Sequence, residues 1–141
     1  MVLQGFVAAK LVSPASLVAS VEVASISIPA QKGIIEVGFG HTGVAGLMSP
    51  GVIALKAKSR KDYYFTSGGF FKVVENQVVL LSECLEFAKD IEASRAKKAL
   101  ERSEALLEKA RADSSVDIPR ALRSFKRAYW RSWLCAQRAP K

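Results

Sequence analysis

Hydrophobic and polar positions follow two different periods along the chain. Through residues 1–82, short apolar runs rich in β-branched residues alternate with turn residues, a pattern typical of strands. The predicted strands cover residues 3–12, 17–28, 34–37, 52–57, 63–66, 70–74 and 77–81. The alternation changes parity within 17–28, which predicts a bulge near Ala24 and Ser25. Strands spaced this closely predict a small β-sandwich or barrel.

After Ser82 the period becomes that of an α-helix, because apolar and small residues recur at three- and four-residue spacing up to Ala110. Ser82 is a suitable N-cap, and Glu83 and Glu86 suit the first turn of a helix. The sequence therefore predicts a β-domain over residues 1–82, followed by helical structure over residues 83–141.

A second helix is predicted after a break at residues 113–115. It begins near Asp117 or Ile118, with Pro119 tolerated in its first turn. Its expected apolar face consists of Ile118, Leu122, Phe125, Tyr129 and Trp133. The fold class is thus β followed by α, with a C-terminal antiparallel α-helical hairpin.

The two helical segments repeat one pattern of charge. In the first, Glu92 is followed by the pair Arg95-Ala96 and then by Arg102; in the second, Asp117 is followed by Arg120-Ala121 and then by Arg127. Spacings of three and seven residues place the acid and both arginines on one face of a helix. The hairpin therefore carries the same charged stripe on each arm.

The net charge of +8 is unevenly distributed. Residues 83–117 carry seven basic and nine acidic groups, whereas residues 118–141 carry seven basic groups and no acid. The two arms should attract each other, and the excess positive charge calls for an anionic partner such as a phosphate, an acidic protein surface or nucleic acid.

The sequence lacks the usual signatures of an active site. His41 is the single histidine, and the two cysteines, Cys84 and Cys135, are distant from it and are predicted to be reduced thiols. No phosphate-binding loop with a lysine and no nucleophile elbow is present, and Ser67-Gly68-Gly69 is interpreted as a structural turn. The chain is therefore not expected to be an enzyme, to hold a metal or to require a cofactor.

Three stretches, in the same order, resemble the epsilon subunits of F-type ATP synthases. Residues 65–73 (FTSGGFFKV) with 76–78 (NQV) resemble the block that closes that family's β-domain, and residues 86–96 (EFAKDIEASRA) resemble its first helical motif. Upstream, Gly33, Gly40-His41 and Pro50-Gly51-Val52 resemble the family's glycine-proline stretch. The resemblance runs from about Val21 to Leu134. One departure is Glu92, which stands where the family has aspartate.

The resemblance implies a non-catalytic rotor subunit with a β-sandwich of about ten strands. Such a sandwich docks on the gamma subunit and touches the ring of c subunits, here through Gly40, His41 and Thr42. The implied location is peripheral, on the cytoplasmic face of the bacterial plasma membrane, with the matrix side of the mitochondrial inner membrane or the stromal side of the thylakoid as alternatives. No apolar run reaches the ~20 residues that a membrane-spanning helix needs.

The resemblance also implies a regulatory hairpin with ATP as a possible ligand. The implied nucleotide-binding residues are Glu86, Glu92, Arg95, Arg102, Arg127 and Arg131. Several guanidinium groups from facing helices can neutralise a triphosphate. The alternative is that these residues form salt bridges, each worth ~0.2–1 kcal/mol.

In the extended state of the family's hairpin, the second helix meets the catalytic beta and alpha subunits and inhibits ATP hydrolysis. The implied inhibitory basic face consists of Arg120, Arg123, Lys126, Arg127 and Arg131. The alternative function is a basic nucleic-acid-binding module that uses this C-terminal helix, whose aromatic residues are interleaved with basic ones. The resemblance favours the rotor subunit, for which no nucleic acid is expected.

Overall fold

The computed structural model describes residues 5–138, and the chain divides into two units, Met1–Phe87 and Ala88–Lys141. Unit 1 contains ten β-strands and unit 2 contains two α-helices. The strands are β1 Val7–Val12, β2 Leu17–Val23, β3 Ser25–Ala30, β4 Gly33–Gly38, β5 Val44–Met48, β6 Gly51–Lys56, β7 Lys61–Thr66, β8 Gly69–Val74, β9 Gln77–Leu81 and β10 Leu85–Phe87. The helices are α1 Ala93–Ala110 and α2 Ile118–Arg138, and a short 3-10 turn at Ala88–Asp90 precedes α1.

Nine strands of unit 1 pair in the order β10-β7-β6-β3-β5-β8-β9-β1-β2, and β4 pairs with β3. The pairs are antiparallel except β1 with β9, which is parallel. Alternate residues of the strands point into one buried core, as the period of two predicts. Val7, Leu11, Ile26, Ile28 and Leu80 are fully buried there. The predicted sandwich is confirmed.

The parity change within residues 17–28 separates two strands. β2 ends at Val23 and β3 begins at Ser25, while the amide of Ala24 donates to the carbonyl of Lys56 over 2.9 Å. The first predicted strand is observed from Val7, because Gly5 and Phe6 are not part of it, and its predicted residues 3 and 4 lie outside the described range. β5 was not predicted, because its two-residue Ala45-Gly46 step weakens the alternation.

The predicted helix start at Ser82 is wrong. Leu85–Phe87 forms β10, which pairs with β7, and the Phe87 ring lies 5.1 Å from the Tyr64 ring between centroids. Ser82 is buried, and its hydroxyl accepts from Thr66 Oγ1 and donates to the carbonyl of Cys84, both over 2.9 Å. Cross-strand pairing therefore prevails over the local capping signal, and α1 begins at Ala93.

The glycine turn between β7 and β8 is structural. Gly68 and Gly69 both have positive φ, of 105° and 138°. A Cβ atom at Gly69 would collide with the carbonyl oxygen of Leu81. Only glycine lets β8 begin this close to β9, in agreement with the interpretation of the SGG segment as a turn.

Candidate functional site

The two helices of unit 2 pack through small side chains that recur every seven residues. Ala96 and Ser103 are buried on α1, and Ala121, Ala128 and Cys135 are buried on α2. Seven-residue spacing keeps such side chains on one stripe of a helix, and small side chains let two helix axes approach closely. We call this stripe the seam.

The predicted apolar face of α2 is not its packing face, and this corrects the sequence prediction. Ile118 is 49% exposed, Leu122 43%, Tyr129 42% and Trp133 38%, while Phe125 is half-buried. These five residues lie on a stripe next to the seam. The larger side chains were mistaken for the core because the seam uses alanine, serine and cysteine, which carry a weak hydrophobic signal.

The seam explains the repeated charge pattern. Each arginine of the repeat directly precedes a seam residue: Arg95 and Arg102 on α1, and Arg120 and Arg127 on α2. The acid of each repeat precedes the first turn of its helix. Asp117 Oδ1 accepts from the amide of Arg120 over 3.1 Å and so caps α2, and Glu92 occupies the N-cap position of α1, where its Oε1 accepts from Ser94 Oγ over 3.2 Å.

A cleft of about 330 Å³ opens along one side of the seam. Equivalent residues of the two helices line it, namely Ala99, Arg102, Ser103 and Leu106 of α1, and Ser124, Arg127, Ala128 and Arg131 of α2. Because the helices are antiparallel and follow the same repeat, the residue before each seam position points to the same side of the pair. We call it the arginine cleft.

Hydroxyl groups and guanidinium groups share the arginine cleft. Arg127 donates from Nη2 to Ser124 Oγ over 3.5 Å, and Ser103 Oγ donates to the carbonyl of Leu100 over 2.8 Å. Within residues 5–138, no carboxylate lies at salt-bridge distance from Arg102 or Arg127. The salt-bridge alternative therefore does not account for these two arginines.

The other three predicted nucleotide-binding residues are not among those that line the arginine cleft. Glu92 and Arg95 are exposed at the start of α1 and do not line the arginine cleft. Glu86 belongs to β10 in unit 1, and the Cys84 thiol donates to its Oε1 over 3.1 Å. The structure thus brings together Arg102, Arg127 and Arg131, and it adds Ser103 and Ser124, which the sequence interpretation had not assigned.

The predicted inhibitory basic face is continuous around α2. Arg120, Arg123 and Lys126 are exposed, while Arg127 and Arg131 are half-buried at the arginine cleft. The spacings of three, four and seven residues place the four arginines on one side of α2, and Lys126, seven residues before Trp133, lies at the border with the exposed apolar stripe. α2 therefore presents an apolar stripe and a basic face separately.

The loop between the helices is held by Asp113. Its carboxylate accepts from the amide and the hydroxyl of Ser115 over 2.9 and 2.6 Å, and Lys109 Nζ lies 3.8 Å away. These bonds stabilise the charged form, so the hydrogen bonds from Ser115 lower the pKa of the Asp113 carboxyl.

Comparison with known proteins identifies the family. Residues 7–88 match the family described as ATP synthase, Delta/Epsilon chain, beta-sandwich domain. The ATP synthase epsilon chain of Nitratidesulfovibrio vulgaris is 34% identical over 119 residues, which cover 84% of this chain and 87% of that relative. The chain belongs to the ATP synthase delta/epsilon family. It is a non-catalytic accessory subunit of the central stalk.

Further relatives agree with this assignment. The ATP synthase epsilon chain of Halalkalibacterium halodurans is 32% identical over 118 residues, which cover 84% of this chain and 88% of that relative. A chain of the mitochondrial ATP synthase of Euglena gracilis, from a cryo-EM structure of its OSCP/F1/c-ring, superimposes with a TM-score of 0.79 at 22% identity. That superposition covers 94% of this chain and 81% of the other, and it shows a shared fold.

The loop implied to contact the c ring connects β4 and β5. Gly40, with φ of 80°, donates its amide to Asn76 Oδ1 over 2.7 Å, and the amide of His41 donates to the carbonyl of Gly38 over 3.2 Å. His41 Nδ1 lies 2.7 Å from the carbonyl oxygen of Thr42. Asn76 belongs to the β8–β9 turn, so two turns of the sandwich fix each other's position.

A row of apolar side chains crosses five adjacent strands of unit 1. In order of strand pairing these residues are Leu47, Phe70, Leu81, Val12 and Leu17. Leu47, Phe70, Leu81 and Leu17 are exposed, and Val12 is half-buried. We call this the apolar row. Sequence alone did not find it, because it depends on the register of four strand pairs.

Proposed function

We propose that this central-stalk subunit couples a ring of membrane c subunits to the catalytic head through the gamma subunit, and that its hairpin is a regulatory arm which binds ATP. The observation that carries the ligand proposal is the convergence of Arg102, Arg127 and Arg131 on one cleft. Three guanidinium groups match the charge and the planar acceptor geometry of a triphosphate. The cleft volume lies near the lower end of the range typical for small-molecule sites.

In this proposal the arginines bind the phosphates and the hydroxyls of Ser103 and Ser124 help to orient them. Arg95 and Glu92 precede Arg102 by seven and ten residues. At about 1.5 Å of helix rise per residue, they lie about 10 and 15 Å from Arg102 along α1. These distances are within the span of a nucleotide, so both residues are assigned to its nucleoside end.

The apolar row is the proposed docking surface for the gamma subunit. Isolated exposed apolar residues are ordinary on a protein surface, but a continuous row across five strands is typical of an interface. The cleft of about 480 Å³ beside Phe70, Leu81 and Pro14 offers a place for a partner side chain. The loop at Gly40, His41 and Thr42 is assigned to the c ring.

The basic face of α2 is the proposed contact with acidic segments of the catalytic beta and alpha subunits when the hairpin extends. Exposed Arg120, Arg123 and Lys126 would make the first electrostatic contacts, and physiological salt would partly screen them. The sequenced relatives named above are bacterial, which supports a peripheral location on the cytoplasmic face of the plasma membrane. Family membership favours this function over the nucleic-acid alternative.

Equilibrium binding of ATP to the isolated full-length chain tests the ligand proposal. Arg102→Ala and Arg127→Ala should each weaken binding about tenfold or more, because each removes charge-assisted hydrogen bonds to phosphate. Arg123→Ala is the matched control, since Arg123 is an exposed arginine of α2 outside the cleft. Equal losses in all three variants would indicate nonspecific charge attraction and would refute the site.

A further inference from the structure

The lining of the arginine cleft follows a local two-fold symmetry. At a constant offset along the chain, its residues on α1 correspond to its residues on α2: Ala99 to Ser124, Arg102 to Arg127, Ser103 to Ala128 and Leu106 to Arg131. Two antiparallel helices that share one repeat are related by an axis perpendicular to both, and such an axis passes midway between equivalent residues. The cleft therefore presents Arg102 and Arg127 on either side of its centre.

The side chains of the arginine cleft suit phosphate oxygens rather than a nucleobase. Arg102, Arg127 and Arg131 supply guanidinium groups, which donate to phosphate in bidentate fashion. Among the described residues that line the cleft, none is aromatic and none is acidic. A base is usually recognised by stacking on an aromatic ring and by hydrogen bonds to its edge, so this lining offers a base few contacts.

The two residues assigned to the nucleoside end are exposed, and exposure limits how strongly they select a base. Glu92 and Arg95 both face solvent, and the Glu92 carboxylate already accepts from Ser94 Oγ over 3.2 Å. When an exposed group loses a ligand partner, water takes the partner's place, whereas a buried polar group left unpaired lowers affinity by orders of magnitude. Glu92 and Arg95 therefore strengthen the binding of any nucleoside triphosphate only slightly.

We propose that the arginine cleft recognises the triphosphate chain itself, so that inorganic triphosphate, GTP and ATP bind with similar affinity. This inference rests on the proposed ATP site and names the part of the ligand that the site selects. Inorganic triphosphate has the symmetry of the cleft, because its two terminal phosphates are equivalent about the central one. Arg102 and Arg127 contact the chain from the two helices, and Arg131 adds a third guanidinium group.

Calorimetric titration of the full-length chain with four ligands tests this inference. The ligands are inorganic triphosphate, GTP, ATP and AMP, each at the same ionic strength and without divalent cations. The dissociation constants of inorganic triphosphate and GTP should lie within about tenfold of that of ATP, because exposed contacts to the nucleoside add only a few-fold in affinity. AMP should bind far more weakly than ATP, because it has the same base but a single phosphate.

The titrations separate failure of this inference from failure of the ATP site. If ATP binds and either inorganic triphosphate or GTP binds more weakly by more than about tenfold, the base is recognised and the inference is overturned, while the ATP site stands. If AMP binds as tightly as ATP, the phosphate chain is not what the cleft selects, and the inference fails as well. If none of the triphosphates binds, both the inference and the proposed ATP site are wrong.

A gain-of-function variant tests the role of the cleft. Leu106 is 40% exposed and is the α1 equivalent of Arg131, so Leu106→Arg gives α1 the cation that it lacks. It should tighten the binding of inorganic triphosphate by about fivefold or more through added charge-assisted hydrogen bonds. Ala105→Arg is the matched control, since it adds the same charge at an exposed position of α1 outside the cleft. Equal effects of the two variants would show general charge attraction and overturn the inference.

Discussion

Arg102 of α1 and Arg127 of α2 occupy equivalent positions on the two arms of the hairpin. Each directly precedes a buried small residue of the seam, Ser103 and Ala128, and both line the arginine cleft. The same offset along the chain relates Ala99 to Ser124 and Leu106 to Arg131. An internal repeat on two antiparallel helices thus produces an approximately two-fold symmetric cleft. Arg131, whose equivalent on α1 is Leu106, adds a third cation that the repeat does not supply on α1.

The seam should not tolerate a larger side chain. Ala128→Leu should destabilise the hairpin by about 1–3 kcal/mol, because overpacking forces the helices apart. Urea unfolding followed by the helical circular dichroism signal measures this change. Ala105→Leu, on the exposed side of α1, makes the same substitution outside the seam and should stay within about 0.5 kcal/mol of the parent. Similar losses in both variants would contradict the assignment of the seam.

Gly69 should be required for the joint between β8 and β9. Gly69→Ala combines an unfavourable φ with a collision against the carbonyl oxygen of Leu81, and it should cost more than about 2 kcal/mol. Gly33→Ala is a matched control, since Gly33 has a φ of 135° but open space around its Cβ position. The difference in unfolding free energy between the two variants isolates the collision. A difference near zero would show that the collision with Leu81 does not contribute to the loss of stability.

The hairpin loop should weaken in acid through Asp113. Because the pKa of this carboxyl is lower in the folded hairpin than in the unfolded chain, its stabilisation is complete above about pH 4 and is lost as the pH falls through the folded-state pKa. Asp113→Asn should be less stable than the parent at neutral pH, and this difference in stability should disappear as the pH falls below about 4. Thermal melts of both chains across this range provide the measurement. A gap that does not depend on pH would exclude ionisation as the cause.

Phe70 should be an anchor of the proposed contact with the gamma subunit. It lies second in the apolar row, between Leu47 and Leu81, and is exposed. Phe70→Ser should lower the affinity of the full-length chain for the gamma subunit by about 30-fold, which corresponds to a hot-spot loss of about 2 kcal/mol. Ile34→Ser removes a still more exposed side chain from β4, outside the row, and should have little effect. Equal affinities of the two variants would argue against the row as the interface.

The sequence predicted the sandwich and the hairpin because both depend on local periodicity. Val7, Ala9 and Leu11 alternate toward the core, and Glu75 with Asn76, both at positive φ, form the turn between the predicted strands that became β8 and β9. β10 was missed because its pairing with β7 is a tertiary contact that a capping signal at Ser82 obscured. Local patterns do not contain such pairings.

The candidate site was predicted in part, for a related reason. Arg102, Arg127 and Arg131 were implied by the family resemblance, and the structure brings them to one cleft. The packing face of α2 was misassigned because the large apolar surfaces of Tyr129 and Trp133 indicate a core face more strongly than the single methyl groups of Ala121 and Ala128 do. The two helices pack where small side chains let their backbones approach most closely. This depends on both helices together, so the pattern of one helix alone does not reveal it.

The rate of ATP hydrolysis by a reconstituted catalytic complex tests the regulatory claim most directly. One preparation would contain the full-length chain and the other a chain ending at Phe87, where unit 1 ends, with equal incorporation of both verified first. We expect the truncated chain to assemble through the sandwich and the rate of ATP hydrolysis to rise when the hairpin is absent. Equal incorporation with unchanged hydrolysis would contradict a regulatory role for the hairpin and leave its arginines without the proposed function.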